Sequence, residues 1–204
     1  TVDDGDKFAS ETFSLTVYAI NYAPVLTAIP DHETDEDTPL TFDVTVNDVD
    51  TDLADLTLSA ASSNTTLMPD NNITFSGTGS TRSLTLTPAD NLSGLCTITV
   101  TLSDGEKTDT QSFTFTVNAV NDAPVLTDIS NQNTDEDTPI EIPLQVNDID
   151  TDLDVLSLTG TSSNTTLVPN NNIVFSGSGH NRSVSIMPAA NQNGTSFITL
   201  TLSD

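Results

Sequence analysis

Hydrophobic residues return at every second position along most of the chain. Leu40, Phe42, Val44 and Val46 alternate with Thr41, Asp43 and Thr45. The same period runs through Leu56 and Leu58, Ile73 and Phe75, Leu84 and Leu86, then Ile98, Val100 and Leu102, then Phe113, Phe115 and Val117. Successive side chains of a strand point to opposite faces, so each run predicts a strand with one buried and one wet face. No stretch sustains the 3.6-residue period of an amphipathic helix. Turn formers separate the runs: Pro69-Asp70-Asn71-Asn72, Gly77-Thr78-Gly79, Asn91 to Gly94, and Asp104-Gly105. About seven short strands in about 100 residues predict an all-β, immunoglobulin-like sandwich with Greek-key connections.

The pattern itself repeats. NYAPVLTAI at Asn21 returns as NDAPVLTDI at Asn121, TDEDTP at Thr34 returns at Thr134, and SSNTTL at Ser62 returns at Ser162. ITFSG at Ile73 returns as IVFSG at Ile173, and ITVTLSD ending at Asp104 returns as ITLTLSD ending at Asp204. The offset is 100 residues without gaps, and more than half the positions of 21–104 match those of 121–204. The opening TVDDGDKFASETFSLTVYAI aligns on TLSDGEKTDTQSFTFTVNAV, Thr101 to Val120. Residues 1–20 therefore read as the last strand of a preceding repeat, 21–120 as a complete repeat, and 121–204 as a second repeat without its last strand. A lone strand is not stable in water. Residues 1–20 of one molecule are thus expected to complete unit 121–204 of the next by head-to-tail strand addition.

Charge narrows the function. Thirty acidic residues against four basic ones give a formal charge of −26. That balance argues against nucleic acid and anionic membranes as partners. No run of 18 apolar residues suggests membrane insertion, and no signal-peptide pattern opens the sequence, which reads as a piece of something longer. The single Cys96 alternates with Ile98, Val100 and Leu102 and is expected in the core, without an internal disulfide. His32 and His180 are isolated and unrepeated, so solvated loop positions are expected for both. The sequence carries no HExxH, P-loop, nucleophile elbow or CxxC. Its aspartate pairs lack the aromatic platform a glycosidase would need, so no enzyme is expected.

The acids collect at strand ends: TDEDTP, VNDVDTDL and its copy VNDIDTDL, PADN, SDG and NDAP. Asp48, Asp50 and Asp52, and again Asp148, Asp150 and Asp152, stand at alternate positions. Strand ends lie at the poles of a sandwich, where like charges repel unless a cation offsets them. A hard divalent ion such as Ca²⁺ takes about six to eight oxygen ligands. On an extended segment, alternate aspartates point one way and offer several oxygens to one ion. An EF-hand is ruled out, because Leu53 stands where its loop needs glycine and no Glu closes it.

The order of these motifs resembles the cadherin repeat: Glu after the first strand, Asp-x-Asp after the second, Asp-x-Gly before the last, Asn-Asp-Ala-Pro at the junction. More closely it resembles the bacterial cadherin-like tandem repeats of giant, calcium-dependent surface adhesins of the repeats-in-toxin type. The resemblance covers the whole chain and implies Ca²⁺ at the joints between repeats. Glu36 and Asp90 would come from the first repeat, Asn121 and Asp122 from the linker, and Asp148, Asp150 and Asp204 from the second. The joint before Asn21 would use Asn21, Asp48, Asp50 and Asp104. Ala19 and Ala119 replace the family's Asp before the linker, Tyr22 replaces the linker Asp, and Ala190 is the counterpart of Asp90. These departures lower the expectation to one or two ions per joint, with weaker binding at the first. The implied function is a structural extender of a bacterial cell-surface adhesin, exported by type I secretion, that projects a distal domain for attachment or biofilm formation. The alternative is a module that itself binds cells or glycans, with Phe8 and Tyr22 as the candidate aromatics.

Overall fold

The structure, a computed structural model, describes residues 1–3 and 5–204. It divides into two units, Thr1–Ala119 and Val120–Asp204.

In the first unit, β1 (Val2–Asp3) and β2 (Phe8–Ala9) form a small antiparallel pair. The sandwich follows: β3 (Val25–Leu26), β4 (His32–Asp35), β5 (Leu40–Asn47), β6 (Thr57–Ser62), β7 (Ile73–Ser76), β8 (Thr81–Leu86), β9 (Gly94–Ser103) and β10 (Thr108–Asn118). One sheet runs β3-β5-β8-β7 and the other β4-β10-β9-β6. The seven expected strands become eight because the first is divided between the sheets. β3 pairs antiparallel with β5, and the chain then crosses over so that β4 pairs parallel with β10. Pro30 sits at the crossover, where it has no N–H to give to either ladder.

Alternation decides what lies between the sheets. Val44, Val46, Leu84, Leu86, Ile98, Val100, Leu102, Phe113, Phe115 and Val117 are all buried, and the intervening Thr and Ser face outward or lie half-buried. Cys96 belongs to this core as a free thiol, its pKa raised mainly by burial. Burying Phe113, Phe115 and Val117 of β10 contributes roughly 5–9 kcal/mol, a large share of a small domain's stability.

His32 departs from the solvated loop expected of it. It lies on β4, half-buried, with its ring stacked on Phe42 at a centroid distance of 3.7 Å and edge-on to Phe113 at 5.7 Å. The parallel β4–β10 pairing places it there by setting His32 opposite Phe115. Burial lowers its pKa, against a weaker upward pull from the Asp31 carboxylate. His180 is exposed, as expected.

The second unit has β11 (Val125–Leu126), β12 (Ile140–Asn147), β13 (Ser157–Ser162), β14 (Ile173–Ser178), β15 (Asn181–Ile186) and β16 (Ile198–Ser203). The sheet β11-β12-β15-β14 matches its counterpart strand for strand, whereas the opposite sheet is only β13-β16. Among the described residues nothing pairs with the outer edge of β16, and residues 132–135 form no strand. A groove of about 660 Å³ opens at this edge, with Ile140, Ile142, Leu167, Ile186, Ile198 and Leu200 in its lining.

Residues 5–20 are exposed throughout. The run Phe13, Leu15, Val17 forms no strand.

Candidate metal centre

β5 ends at Asn47 and the chain turns sharply at Asp48. Asp48 Oδ1 accepts from the backbone N–H of Asp50 at 3.0 Å and of Thr51 at 3.1 Å. Asp52 Oδ1 accepts from the N–H of Ala54 at 3.0 Å. The extended segment expected from alternate aspartates is therefore not found. A short carboxylate reaches its own following amides and folds the chain into successive Asx turns. The second unit repeats this, with Asp148 Oδ1 accepting from Asp150 at 3.0 Å and Thr151 at 2.8 Å, and Asp152 from Asp154 at 3.0 Å.

An arginine fixes each turn from below, a feature the acid-centred sequence reading missed. Arg82 is buried and donates to the carbonyls of Gly79, at 2.8 Å, and Leu53. Arg182 donates to those of Gly179, at 3.1 Å, and Leu153. The signal was present in sequence: these are two of only four basic residues, and they recur at the repeat offset.

The turn meets two other chain segments. Asn21 Nδ2 donates to Asp104 Oδ2 at 3.0 Å, and the Tyr22 N–H reaches the Asp50 carboxylate at 3.1 Å. In the second unit Asn121 Nδ2 donates to Asp204 Oδ2, and the Asp122 N–H donates to Asp150 Oδ2 at 2.5 Å. The structure thus gathers Asn21, Asp48, Asp50 and Asp104 at one pole of the first unit. It gathers Asn121, Asp122, Asp148, Asp150 and Asp204 at the same pole of the second. Lys107 joins the first cluster, its Nζ donating to the Asn21 carbonyl at 2.6 Å.

Glu36 and Asp90 lie at the opposite pole of the first unit, in the turns that follow β4 and β8. Glu36 is buried and its N–H donates to the Asn118 carbonyl at 2.9 Å. Asp90 is exposed beside Asn91, whose N–H is held by Asp37 at 2.8 Å. The ligand set expected for the middle joint is therefore split, two residues in one unit and five in the other.

Hydrogen bonds lower the pKa of two of these carboxylates from the usual carboxylate value. For Asp48 the Asp50 N–H is the main cause and Thr51 adds to it, against partial desolvation and the Asp104 charge. For Asp104 the N–H groups of Lys107 and Glu106 dominate. While Oδ1 of Asp48 and of Asp148 is thus occupied, Oδ2 of each is buried and has no hydrogen-bond partner among the described residues. An ionised oxygen shut away from water without a partner is costly. The donors are all oxygens, which suits a hard cation. Among the described residues no three Asp, Glu, His or Cys side chains are gathered closely enough to hold a metal by themselves. Amide oxygens, carbonyls and water would have to complete a coordination shell.

Both candidate aromatics are exposed, Phe8 on β2 and Tyr22 beside the acidic pole. Among the described residues no helix is long and apolar enough to cross a membrane.

Similarity to known proteins agrees with the sandwich. The family model described as "Bacterial Ig domain" matches residues 21–116 and again 121–204. No curated protein matches in sequence. Among solved structures, a chimeric titin Z1Z2 carrying an exogenous peptide from decorin is 13% identical, with 91% of this chain and 92% of that one covered and a TM-score of 0.38. Titin domains Z1Z2 in complex with telethonin give 14%, 90%, 96% and 0.39 on the same measures. An endo-fucoidan hydrolase of glycoside hydrolase family 107 gives 18%, 89%, 27% and 0.37. Scores this low carry no argument about function. The two family matches together span most of the chain, which therefore belongs to the bacterial Ig domain family.

Proposed function

We propose that these Ig-like repeats are extender modules of a long bacterial surface adhesin and that Ca²⁺ stiffens their joints. The tandem Ig-like organisation is consistent with a structural repeat, and bacterial Ig domains are commonly extracellular surface modules without catalytic function. The calcium part rests on one observation above others: the buried, unpartnered Oδ2 of Asp48, reproduced at Asp148 on the same turn. A bound cation would offset that charge and draw in the neighbouring Asp104 or Asp204. Glu36 and Asp90 would serve as ligands contributed across the middle joint. Secretion to the cell surface and a role in attachment or biofilm formation belong to the same proposal.

An ion bound only by the folded state stabilises it by mass action. Saturating Ca²⁺ is expected to raise the melting temperature by on the order of 10 °C, and EGTA to reverse the rise. Asp48→Asn with Asp148→Asn should remove most of that response while keeping the turns, because an Asn oxygen still accepts from the two N–H groups. A melting temperature indifferent to Ca²⁺ would reject the metal and leave plain extender repeats with a solvated acidic pole.

A further inference from the structure

β4 is held to the first sandwich by little. It is four residues long, runs parallel to β10 and lies at the edge of its sheet, so only one of its sides is paired. Alternation turns two of its side chains toward the interior, His32 and Thr34, both half-buried, and leaves Glu33 and Asp35 exposed. His32 supplies the one ring of β4, and that ring spans the two sheets. It stacks on Phe42 of β5 and stands edge-on to Phe113 of β10, and these two phenyl rings meet edge-to-face at 5.9 Å.

The imidazole fits this cluster in one protonation state. Its Nε2 is buried and has no hydrogen-bond partner among the described residues. A neutral ring tolerates this with its proton on Nδ1 and Nε2 left as a bare acceptor. An imidazolium carries an N–H on both nitrogens, and the one at Nε2 would be buried without an acceptor. The charged groups nearby do little to prevent that. Asp31 pulls the His32 pKa upward, but its Oδ1 is engaged by the Thr114 N–H at 2.7 Å. Glu33 and Asp35 face water, and Glu36 is buried just beyond the strand. On β5, Asp43 is exposed and bonded to the Ser83 hydroxyl at 2.9 Å. On β10, Asp109 holds the Leu26 N–H at 2.8 Å. The Phe42 face attracts a cation, yet burial outweighs these pulls and the net shift is downward.

We infer that His32 is a pH-operated latch: the neutral ring pins β4 to β10, and its protonation below neutral pH favours release of this edge strand ahead of the rest of the sandwich. Once β4 swings away, the ring reaches water and takes up a proton near the ordinary 6.5. Each proton bound therefore favours the open form. Between pH 7.5 and pH 5.5 the open fraction should rise by roughly threefold to tenfold. The latch lies apart from the acidic pole and works without Ca²⁺.

Amide hydrogen exchange in EGTA tests this, read as protection factors so that the intrinsic pH dependence of exchange cancels. The key amide is that of Glu36, which donates to the Asn118 carbonyl at 2.9 Å and is freed when β4 leaves. At both pH values it should be less protected than the paired amides of β5 and β8, because it opens without global unfolding. Its protection should fall by the stated factor at pH 5.5. His32→Phe keeps a ring in the cluster and removes the titration, so most of that fall should vanish. The ring resonances of wild-type His32 give a readout that needs no variant, and they should titrate below 6.5. Titration at or above 6.5 overturns the inference, as does an equal fall in His32→Phe or a Glu36 protection that ignores pH. Glu36 protection equal to that of β5 and β8 also overturns it, because β4 would then open only when the whole unit unfolds.

Discussion

Residues 21–104 and 121–204 match at more than half their positions, yet among the described residues only the first unit has a four-stranded second sheet. Their β3-β5-β8-β7 and β11-β12-β15-β14 sheets agree in order, and β8 and β15 meet their neighbours in matching registers. The differences gather around β10. Where it is present, β4 forms beside it, Glu36 is buried, and the N–H groups of Leu26, Thr114 and Glu36 find the Asp109 carboxylate, the Asp31 carboxylate and the Asn118 carbonyl. Where it is missing, residues 131–139 are all exposed although TDEDTP recurs unchanged. The segment HETD, His32 to Asp35, is a strand, whereas its counterpart QNTD, Gln132 to Asp135, which keeps only the Thr-Asp pair, is not. A parallel edge strand has no local partner, and its ladder depends entirely on a segment about 80 residues away in sequence.

Removing one ring from β10 should blur that contrast more than any other single change. Phe115 is fully enclosed, and Phe115→Ala is expected to cost about 3–5 kcal/mol in urea unfolding. Leu15→Ala, its counterpart in the exposed segment, should leave the unfolding of the dilute monomer unchanged. A comparable loss at Leu15 would mean that residues 1–20 are packed within their own molecule.

How much of this was legible in sequence depends on the range of the interaction. Alternation gave the strands and the face of each, because a strand's two faces are a local property. The repeat offset gave two units, and the turn residues gave most boundaries. The split first strand and the stack of His32 on Phe42 were not legible. Both depend on a parallel pairing between distant segments, and His32 has Gln132 as its counterpart, so no repetition marks it. At the candidate site, Asn21, Asp48, Asp50 and Asp104 share one pole of the first unit, while Glu36 and Asp90 lie at the other. The spacing of the aspartates predicted an extended segment there, whereas the Asp48 carboxylate bonds the amides of Asp50 and Thr51 and makes a turn of three residues. Alternation says nothing about that choice.

A smaller effect concerns how the two cores fit their volumes. Ala60 faces Val100 on β6 and β9, and Gly160 faces Leu200 on β13 and β16. The side chain lost on one strand is regained on the other. A Cβ at Gly160 would lie 2.7 Å from Ile173 Cγ2, 3.2 Å from Phe175 Cζ and 3.3 Å from Leu200 Cδ2. Gly160→Ala should therefore destabilise the second unit by about 1–3 kcal/mol through overpacking. Adding Leu200→Val recreates the pair of the first unit and lets Ile173 and Phe175 move aside. The double variant should recover at least half the loss, a coupling that a double-mutant cycle reads directly. Strict additivity would show that the two positions do not share their space.

The smallest expected effect separates the units by pH. His32 is half-buried against Phe42 and Phe113, and its folded pKa lies below the ordinary 6.5. The unfolded chain therefore binds a proton more readily than the folded one. Stability from the neutral ring is fully present above pH 6.5 and falls as pH drops through that value toward the folded pKa. The Asp31 carboxylate opposes the shift, which keeps the effect modest. Its counterpart Gln132 cannot titrate, so this position contributes no such change in the second unit. The comparison is the unfolding midpoint of the first unit at pH 7.5 and pH 5.5, in wild type and in His32→Phe, which keeps an aromatic ring in the stack. The wild type should lose stability at the lower pH, and the variant should lose measurably less. An equal loss in both would show that His32 is not the group responsible.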